Sequence, residues 1–260
     1  MEKRNRPLIT MITAVLNGAK TLERCLDSID SQTYPHKELI VMDGGSTDGS
    51  VDILSKRKSK IAYWESKPDQ GIYNAWNKAL KQSHGNWICF LGSDDYLWNP
   101  NVLADLSFHI ERAENLKIRV VYGQMARVDH NGQIIKLMGE SWEKIRWLMP
   151  HGMPLPHPGL MHHHSLFEDH GFFDENFKIA GDYEFLLREL QNGAALFANG
   201  LITVGCQTGG IADVKNLDAH KEVALARRKH GLHRLSWVWM AVHARNVFRK
   251  HWRRIVQKEY

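Results

Sequence analysis

Residues 86–95 read NWICFLGSDD. Trp87 to Leu91 form an apolar run that passes straight into Gly92, Ser93 and two adjacent carboxylates, Asp94 and Asp95. A short continuous apolar run bounded by turn residues predicts a strand buried on both faces. Two like charges at the end of such a strand repel each other and resist desolvation, so their position asks for a compensating partner.

The same grammar recurs on both sides of this run. Residues 8–16 predict a first buried strand. Leu22, Cys25, Leu26 and Ile29 then fall at i, i+3, i+4 and i+7, one face of a helix, which Tyr34-Pro35 ends. ELIVMD (38–43) predicts a second strand, and GGSTDGS (44–50) a turn in which Asp48 can cap the following helix. IAYW (61–64) predicts a third strand, and residues 69–82 a helix with Ile72, Trp76 and Ala79 on one face, Trp76 reading as core. Beyond the opening run come a helix marked by Leu103, Leu106 and Ile110, a strand at 118–123 and a hairpin turn, HNGQ, at 130–133. Strand and helix alternating through short links predict an α/β fold: an open, mostly parallel sheet with helices on both faces. The hairpin predicts that the second half departs from simple alternation.

In such a sheet ligands sit beyond the carboxyl ends of the strands. Asn17, Asp43 and the Ser93-Asp94-Asp95 group all follow predicted strands, so they converge on one rim. Aspartate also shapes turns on its own account, but three such positions together favour a nucleotide site. Neighbouring residues in extended backbone point to opposite sides, so Asp94 and Asp95 divide two tasks. One can bond a sugar hydroxyl. The other can hold Mg2+ or Mn2+, which prefer oxygen ligands and share them with phosphates. A cation on a diphosphate stabilises a nucleoside-diphosphate leaving group. Gly44 and Gly45 belong to no G-x-G-x-x-G or G-K-[ST] pattern and read as turn residues that let a nucleotide approach.

The 260 residues are 43% hydrophobic and 24% charged, ordinary globular composition. Cys25, Cys89 and Cys206 show no metal-type pairing, and so sparse a set suits a reducing compartment. Basic residues followed by an apolar stretch at the start imitate a signal peptide, but an amphipathic helix pattern follows in place of a cleavage site. No apolar run reaches the ~18 residues needed to span a bilayer. Residues 227–260 hold ten Lys/Arg and one acidic residue, a charge of +9, which leaves −4 for residues 1–226 of a chain whose total is +5. The division expected is therefore a catalytic domain, 1–226, and a basic, aromatic helical tail, 227–260. In that tail Trp237, Trp239, Phe248 and Trp252 lie among basic residues. This composition suits an anionic membrane surface; a helix packed on the body and a nucleic-acid patch are the alternatives, and no RNA module accompanies it. The histidines at 151, 157, 162, 163 and 164 lack a Cys or carboxylate to complete a tetrahedral zinc set.

The segments ITMITAVLNGAKTLERCLDSIDSQTY, ELIVMDGGSTDGS, YWESKPDQGIYNAWNKAL, GNWICFLGSDD, VVYG, GMPLPHPGLM and GFFDENFKIAGDYEFLLR, in that order, resemble the family 2 glycosyltransferases of the GT-A fold. The resemblance covers roughly residues 7–210 and is closest to the branch that builds bacterial lipopolysaccharide, capsule and exopolysaccharide. It implies that the backbone around Thr13, Ala14 and Val15, with Asn17 and Asp43, binds the base, uracil or thymine suiting a carboxylate acceptor. It implies further that Asp69 and Tyr73 line the nucleotide site, that Asp94 contacts the ribose, that Asp95 ligates the metal and that Asp182 is the catalytic base. His157 stands near the donor diphosphate or the acceptor. Pro158 replaces the family's usual Gln, and the histidines at 162–164 occupy positions often held by Arg or Lys.

Asp182 also stands on its own chemistry. Single displacement at an anomeric carbon needs one base for the acceptor hydroxyl, and no acid when a nucleotide leaves. Asp182 could equally cap a helix beginning near Tyr183. The expectation is an inverting, metal-dependent transferase that moves a sugar from a nucleotide donor, UDP-linked, to a glycan or lipid-linked acceptor at the cytoplasmic face of the plasma membrane. The alternatives are a non-catalytic nucleotide-binding scaffold, against which Asp94, Asp95 and Asp182 speak, and a sugar nucleotidyltransferase, which would want a basic Gly-rich loop where VLNGAKTLERC stands.

Overall fold

The computed structural model describes residues 6–129, 131–207, 216–232 and 240. The first half alternates as the pattern predicts: β1 (Ile9–Val15), α1 (Ala19–Asp30), β2 (Lys37–Asp43), α2 (Ser50–Arg57), β3 (Tyr63–Ser66), α3 (Ile72–Leu80) and β4 (Trp87–Phe90). A short β5 (Tyr96–Leu97), α4 (Val102–Asn115), β6 (Val120–Val128), β7 (Ile134–Met138), α5 (Trp142–Ile145), β8 (Met161–His163), α6 (Ser165–His170), α7 (Gly181–Leu190), β9 (Leu196–Gln207) and α8 (Asn216–Lys229) follow.

The sheet order is β3-β2-β1-β4-β8-β6-β9-β5, with β7 paired to β6. β3, β2, β1 and β4 are parallel. β8 is then inserted antiparallel to both β4 and β6. β9 runs parallel to β6, and β5 antiparallel to β9. The parallel part of the prediction thus describes the N-terminal half, and β6–β7 is the antiparallel hairpin that HNGQ announces.

β4 shows why its sequence is apolar throughout. Trp87, Cys89 and Leu91 enter the apolar cluster on one face of the sheet, with Leu22, Cys25 and Leu26 of α1 and Leu103 of α4. Ile88 and Phe90 enter the cluster on the other face, with Tyr73 and Trp76 of α3 and Tyr183 of α7. Each fully buried side chain of this size contributes roughly 1.5–3 kcal/mol, so both faces of the strand are committed. β3 begins at Tyr63, later than the apolar residues at 61–64 suggest, because a 3-10 turn at Lys58–Lys60 precedes it and the register with β2 starts at Ile40↔Tyr63.

α8 packs on α7. Glu184 of α7 has no solvent exposure, yet it is paired with Arg188, with Lys229 at 2.9 Å and with His230 at 2.8 Å. The division expected at 226/227 therefore passes through a continuous helix whose last residues neutralise a buried carboxylate. Trp237, Trp239, Phe248 and Trp252 of the tail lie outside the described residues. Among the described residues no helix is long and apolar enough to cross a membrane.

Candidate active site

The carboxyl ends of β1, β2 and β4 and the loop after β3 form one rim. Asp43, the last residue of β2, is 2% exposed. Its Oδ2 accepts the N–H groups of Gly45 (3.1 Å) and Ser46 (3.0 Å) and the Ser66 hydroxyl (2.6 Å). Its Oδ1 is buried without a partner. An unmet buried acceptor costs on the order of 1–3 kcal/mol, which a ligand N–H would recover. Asp69 accepts from Gly71 N–H at 2.9 Å through Oδ1, and Gly44 gives it room: a Cβ there would lie 2.8 Å from Oδ2. Asp43 and Asp69 line one cleft with Met42, Glu65, Lys67, Ala75 and Lys78.

Asn17 takes a left-handed backbone (φ 51°), and its Oδ1 accepts from Thr47 N–H at 2.9 Å while its own N–H donates to the Ser46 hydroxyl at 2.8 Å. Its side chain thus latches the 44–49 turn onto the end of β1. The Thr13 hydroxyl faces Cys25, 3.9 Å from Sγ, while Ala14 packs on one apolar cluster and Val15 on the other. Only the backbone of these three is left to meet a base. That backbone is joined to β2 through Gly44 N–H and Val15 O at 2.9 Å.

Asp94 is exposed and Asp95 is 5% exposed, so the adjacent carboxylates occupy different environments. A Cβ at Gly92 would lie 2.8 Å from Asp94 Oδ1 and from Asp95 Oδ2, which puts both carboxylates around one side-chain-free position. Asp95 Oδ1 is buried without a partner. Burial first, and the charge of Asp94 second, push Asp95 up to about 7. Arg24 braces the turn by donating to Asp94 O at 2.7 Å with its guanidinium 4.6 Å from the centre of the Tyr96 ring.

Asp182 lies in the first turn of α7, after the N-cap Ala180. Its Oδ1 accepts from Tyr183 N–H at 2.8 Å and faces the Tyr73 hydroxyl at 3.3 Å, while Oδ2 is 3.9 Å from His157 Nδ1. Burial raises Asp182 to about 6, against the lowering by those hydrogen bonds. Tyr73 is 3% exposed, and its hydroxyl donates to Ile179 O at 2.7 Å. The tyrosine predicted to line the nucleotide site therefore reaches the segment that carries Asp182. His157, 7% exposed, lies against Trp76 and Phe90, and burial pushes it down to about 3, so it is neutral.

The sequence profile described as "Glycosyl transferase family 2" matches residues 10–170, more than half of the chain. The chain belongs to family 2 of the glycosyltransferases. It is 30% identical over 191 residues, 72% of each chain, to a PGL/p-HBAD biosynthesis glycosyltransferase of Mycobacterium tuberculosis. It is also 30% identical over 233 residues, 88% of this chain and 85% of the relative, to an uncharacterised glycosyltransferase of the same species. Among solved structures, S. aureus TarS 1-349 in complex with UDP-GlcNAc has a TM-score of 0.66 at 21% identity, over 84% of this chain and 66% of that one. The mannosyltransferase PcManGT of Pyrobaculum calidifontis, in complex with GDP-Man and Mn2+, has a TM-score of 0.65 at 16% identity, over 90% and 66%. The chain spans about two thirds of the length of these solved proteins, which share its fold.

For a family 2 glycosyltransferase the residues here suit a hard divalent cation. Asp95 Oδ1 is a buried oxygen with no partner, Asp94 lies across the same glycine, and the donors are carboxylate oxygens. Among the described residues no group of three His, Cys, Asp or Glu could hold a metal alone, so such an ion would draw its other ligands from phosphate and water. Two contributors to the transferase site escaped the sequence reading. Ser66 is the last residue of β3, as Asp43 is of β2, but Glu65 separates it from the apolar run, so the strand-end rule missed it. Lys178 donates to Gln70 O at 2.7 Å and ties the Asp69 loop to the segment before α7; no local pattern signals a bond across 108 residues.

Proposed function

We propose that this glycosyltransferase is an inverting, cation-dependent enzyme that uses a UDP-linked donor. The observation that carries the reading is an unpartnered buried oxygen on Asp43 together with a buried carboxylate at Asp182 held by Tyr73 and Tyr183 N–H. Asp43 Oδ1 accepts the ring N–H of uracil, and the backbone of Thr13 to Val15 and Asp69 flank it. Asp94 meets the ribose, and Asp95 would hold Mg2+ or Mn2+. When bound, the cation offsets the charge on the departing diphosphate. An acceptor hydroxyl oxygen attacks the anomeric carbon as the bond from that carbon to the diphosphate oxygen breaks. The bonding pair leaves with the nucleotide, and the proton passes to the Asp182 carboxylate. Tyr73 and Tyr183 N–H hold that carboxylate, and neutral His157 stands beside its far oxygen. The UDP-GlcNAc complex of TarS and the Mn2+ complex of PcManGT support the donor class and the cation. The acceptor in this reading is a hydroxyl of a glycan or lipid-linked molecule, as in bacterial surface polysaccharide synthesis.

The test is a screen of nucleotide sugars for turnover with and without EDTA, followed by NMR of the transferred sugar. A UDP-sugar should be consumed only with the divalent ion and should yield the opposite anomer. A product that keeps the donor's configuration overturns the single displacement, and binding without turnover by any donor favours a nucleotide-binding scaffold.

A further inference from the structure

We propose that Glu222, in the C-terminal helix α8, is a positioning residue for transfer: its carboxylate holds the 178–180 backbone so that Asp182 is presented to the donor loop. The proposal rests on Asp182 as the base. Glu222 Oε2 accepts the N–H groups of Ile179 and Ala180, each at 2.8 Å, and Oε1 that of Lys178 at 2.9 Å. These are three consecutive donors immediately before α7. Donors there need partners from outside the helix, and α7 has no side-chain cap at its own Ala180. The partner is supplied by a residue more than forty positions further along the chain.

The same three residues are gripped from two other sides. The Tyr73 hydroxyl of α3 donates to Ile179 O at 2.7 Å. The Lys178 amine donates to Gln70 O at 2.7 Å and to Glu175 O at 2.9 Å, reaching the loop that carries Asp69. Donor loop, base and C-terminal helix therefore meet in one short segment. Without Glu222 its three N–H groups lose their acceptor, and the segment can settle elsewhere. A displacement of about 1 Å in a reacting group can cost 10²-fold in rate.

The groups facing Asp182 are Tyr73 from α3, His157 from the loop before β8 and Glu222 from α8. Glu222 adds a like charge that raises Asp182. Glutamine keeps one acceptor oxygen, enough for the Ile179 and Ala180 N–H groups, turns its amide nitrogen toward Lys178 N–H and removes that charge.

The experiment uses the full chain carrying Glu222→Ala, Glu222→Gln or Asp182→Asn, and measures kcat, donor KM, the pH profile of kcat and UDP binding by calorimetry. Glu222→Ala should still bind UDP while kcat falls by about tenfold or more. Glu222→Gln should recover most of kcat, with its acid limb displaced to lower pH. Unchanged kcat in Glu222→Ala overturns the proposal. So does a Glu222→Gln enzyme that recovers nothing or whose acid limb does not move. If Glu222→Ala fails to bind UDP, Glu222→Gln decides by the same two criteria. Near-normal turnover in Asp182→Asn overturns the assignment of the base instead, whichever way Glu222 behaves.

Discussion

Asp182 is held by a tyrosine hydroxyl and a backbone N–H, with a buried neutral imidazole 3.9 Å away, and burial still raises it to about 6. A base must be ionised to work, so turnover should rise with pH through about 6 and level off above it. His157, pushed down to about 3, adds no second step there, and the profile is taken at saturating Mn2+ so that Asp95, pushed up to about 7, is held ionised throughout. Asp182→Asn should keep UDP affinity and lose about 10²- to 10⁴-fold in kcat, the usual contribution of a general base; calorimetry and steady-state kinetics check the two halves. Asp95→Ala removes the buried oxygen assigned to the cation. Titration of UDP with and without Mn2+ should then show the metal's enhancement of binding abolished, whereas Asp94→Ala should weaken binding and keep part of it. UDP–Mn2+ bound as tightly by Asp95→Ala as by the unaltered chain would contradict the assignment. Asp43, Asp94, Asp95 and Asp182 could be singled out as candidates from the sequence because each ends or follows an apolar strand or opens a helix. The role of Tyr73 was not, because its hydroxyl bonds to residues 106 and 109 positions away.

Among the elements, α7 carries the clearest conflict of local and tertiary preference. Gly181 opens it, and alanine would ordinarily favour a helix by up to about 1 kcal/mol. Here a Cβ would lie 2.7–2.9 Å from three carbons of the Tyr73 ring. That ring is packed against Trp76 and Phe173, with centroids at 5.4 and 5.6 Å, and has little room to move. Overpacking of this kind costs about 1–3 kcal/mol, so tertiary packing wins. Gly181→Ala should lower Tm and kcat together and leave UDP binding intact; calorimetry and kinetics on one preparation decide it. β1 to β4 with their helices were readable because each strand is marked by an apolar run and the strand–helix alternation orders them, even though β1 pairs β4 across 78 residues. The insertion of β8 between β4 and β6, and the pairing of β5 with β9, were not, because strands of three and two residues leave no periodic pattern and break that alternation.

For the whole molecule, the C-terminal boundary matters to stability. A chain ending at Ala226 loses Lys229 and His230, two partners of fully buried Glu184, and keeps Arg188. Hydrogen bonds to charged groups are worth roughly 1.5–3 kcal/mol each. Thermal unfolding should show that chain clearly less stable than one ending at Leu232. Residues 233–260 carry seven Lys/Arg against one acidic residue, and each basic residue near an anionic leaflet is worth about 1 kcal/mol. The full chain should therefore sediment with anionic but not neutral vesicles and be released by salt, while the chain ending at Leu232 stays in solution and still binds UDP. Co-sedimentation checks this proposal, and indifference of the full chain to anionic vesicles would end it.

The pairing of β5 also sets an order of assembly. Tyr96, next to Asp95, takes its strand partner at Gly205, 109 residues later. A ribosome adding about 5–20 residues per second needs about 5–20 s to supply that partner. β1 to β4 and the Asp43 turn are complete in the chain before then. The half proposed to read the base can thus form early, while the turn of Asp94 and Asp95 and the segment before Asp182 wait for Gly205 and Glu222. An unfinished chain would carry the cradle proposed for the base without the groups proposed to act on the diphosphate and the acceptor.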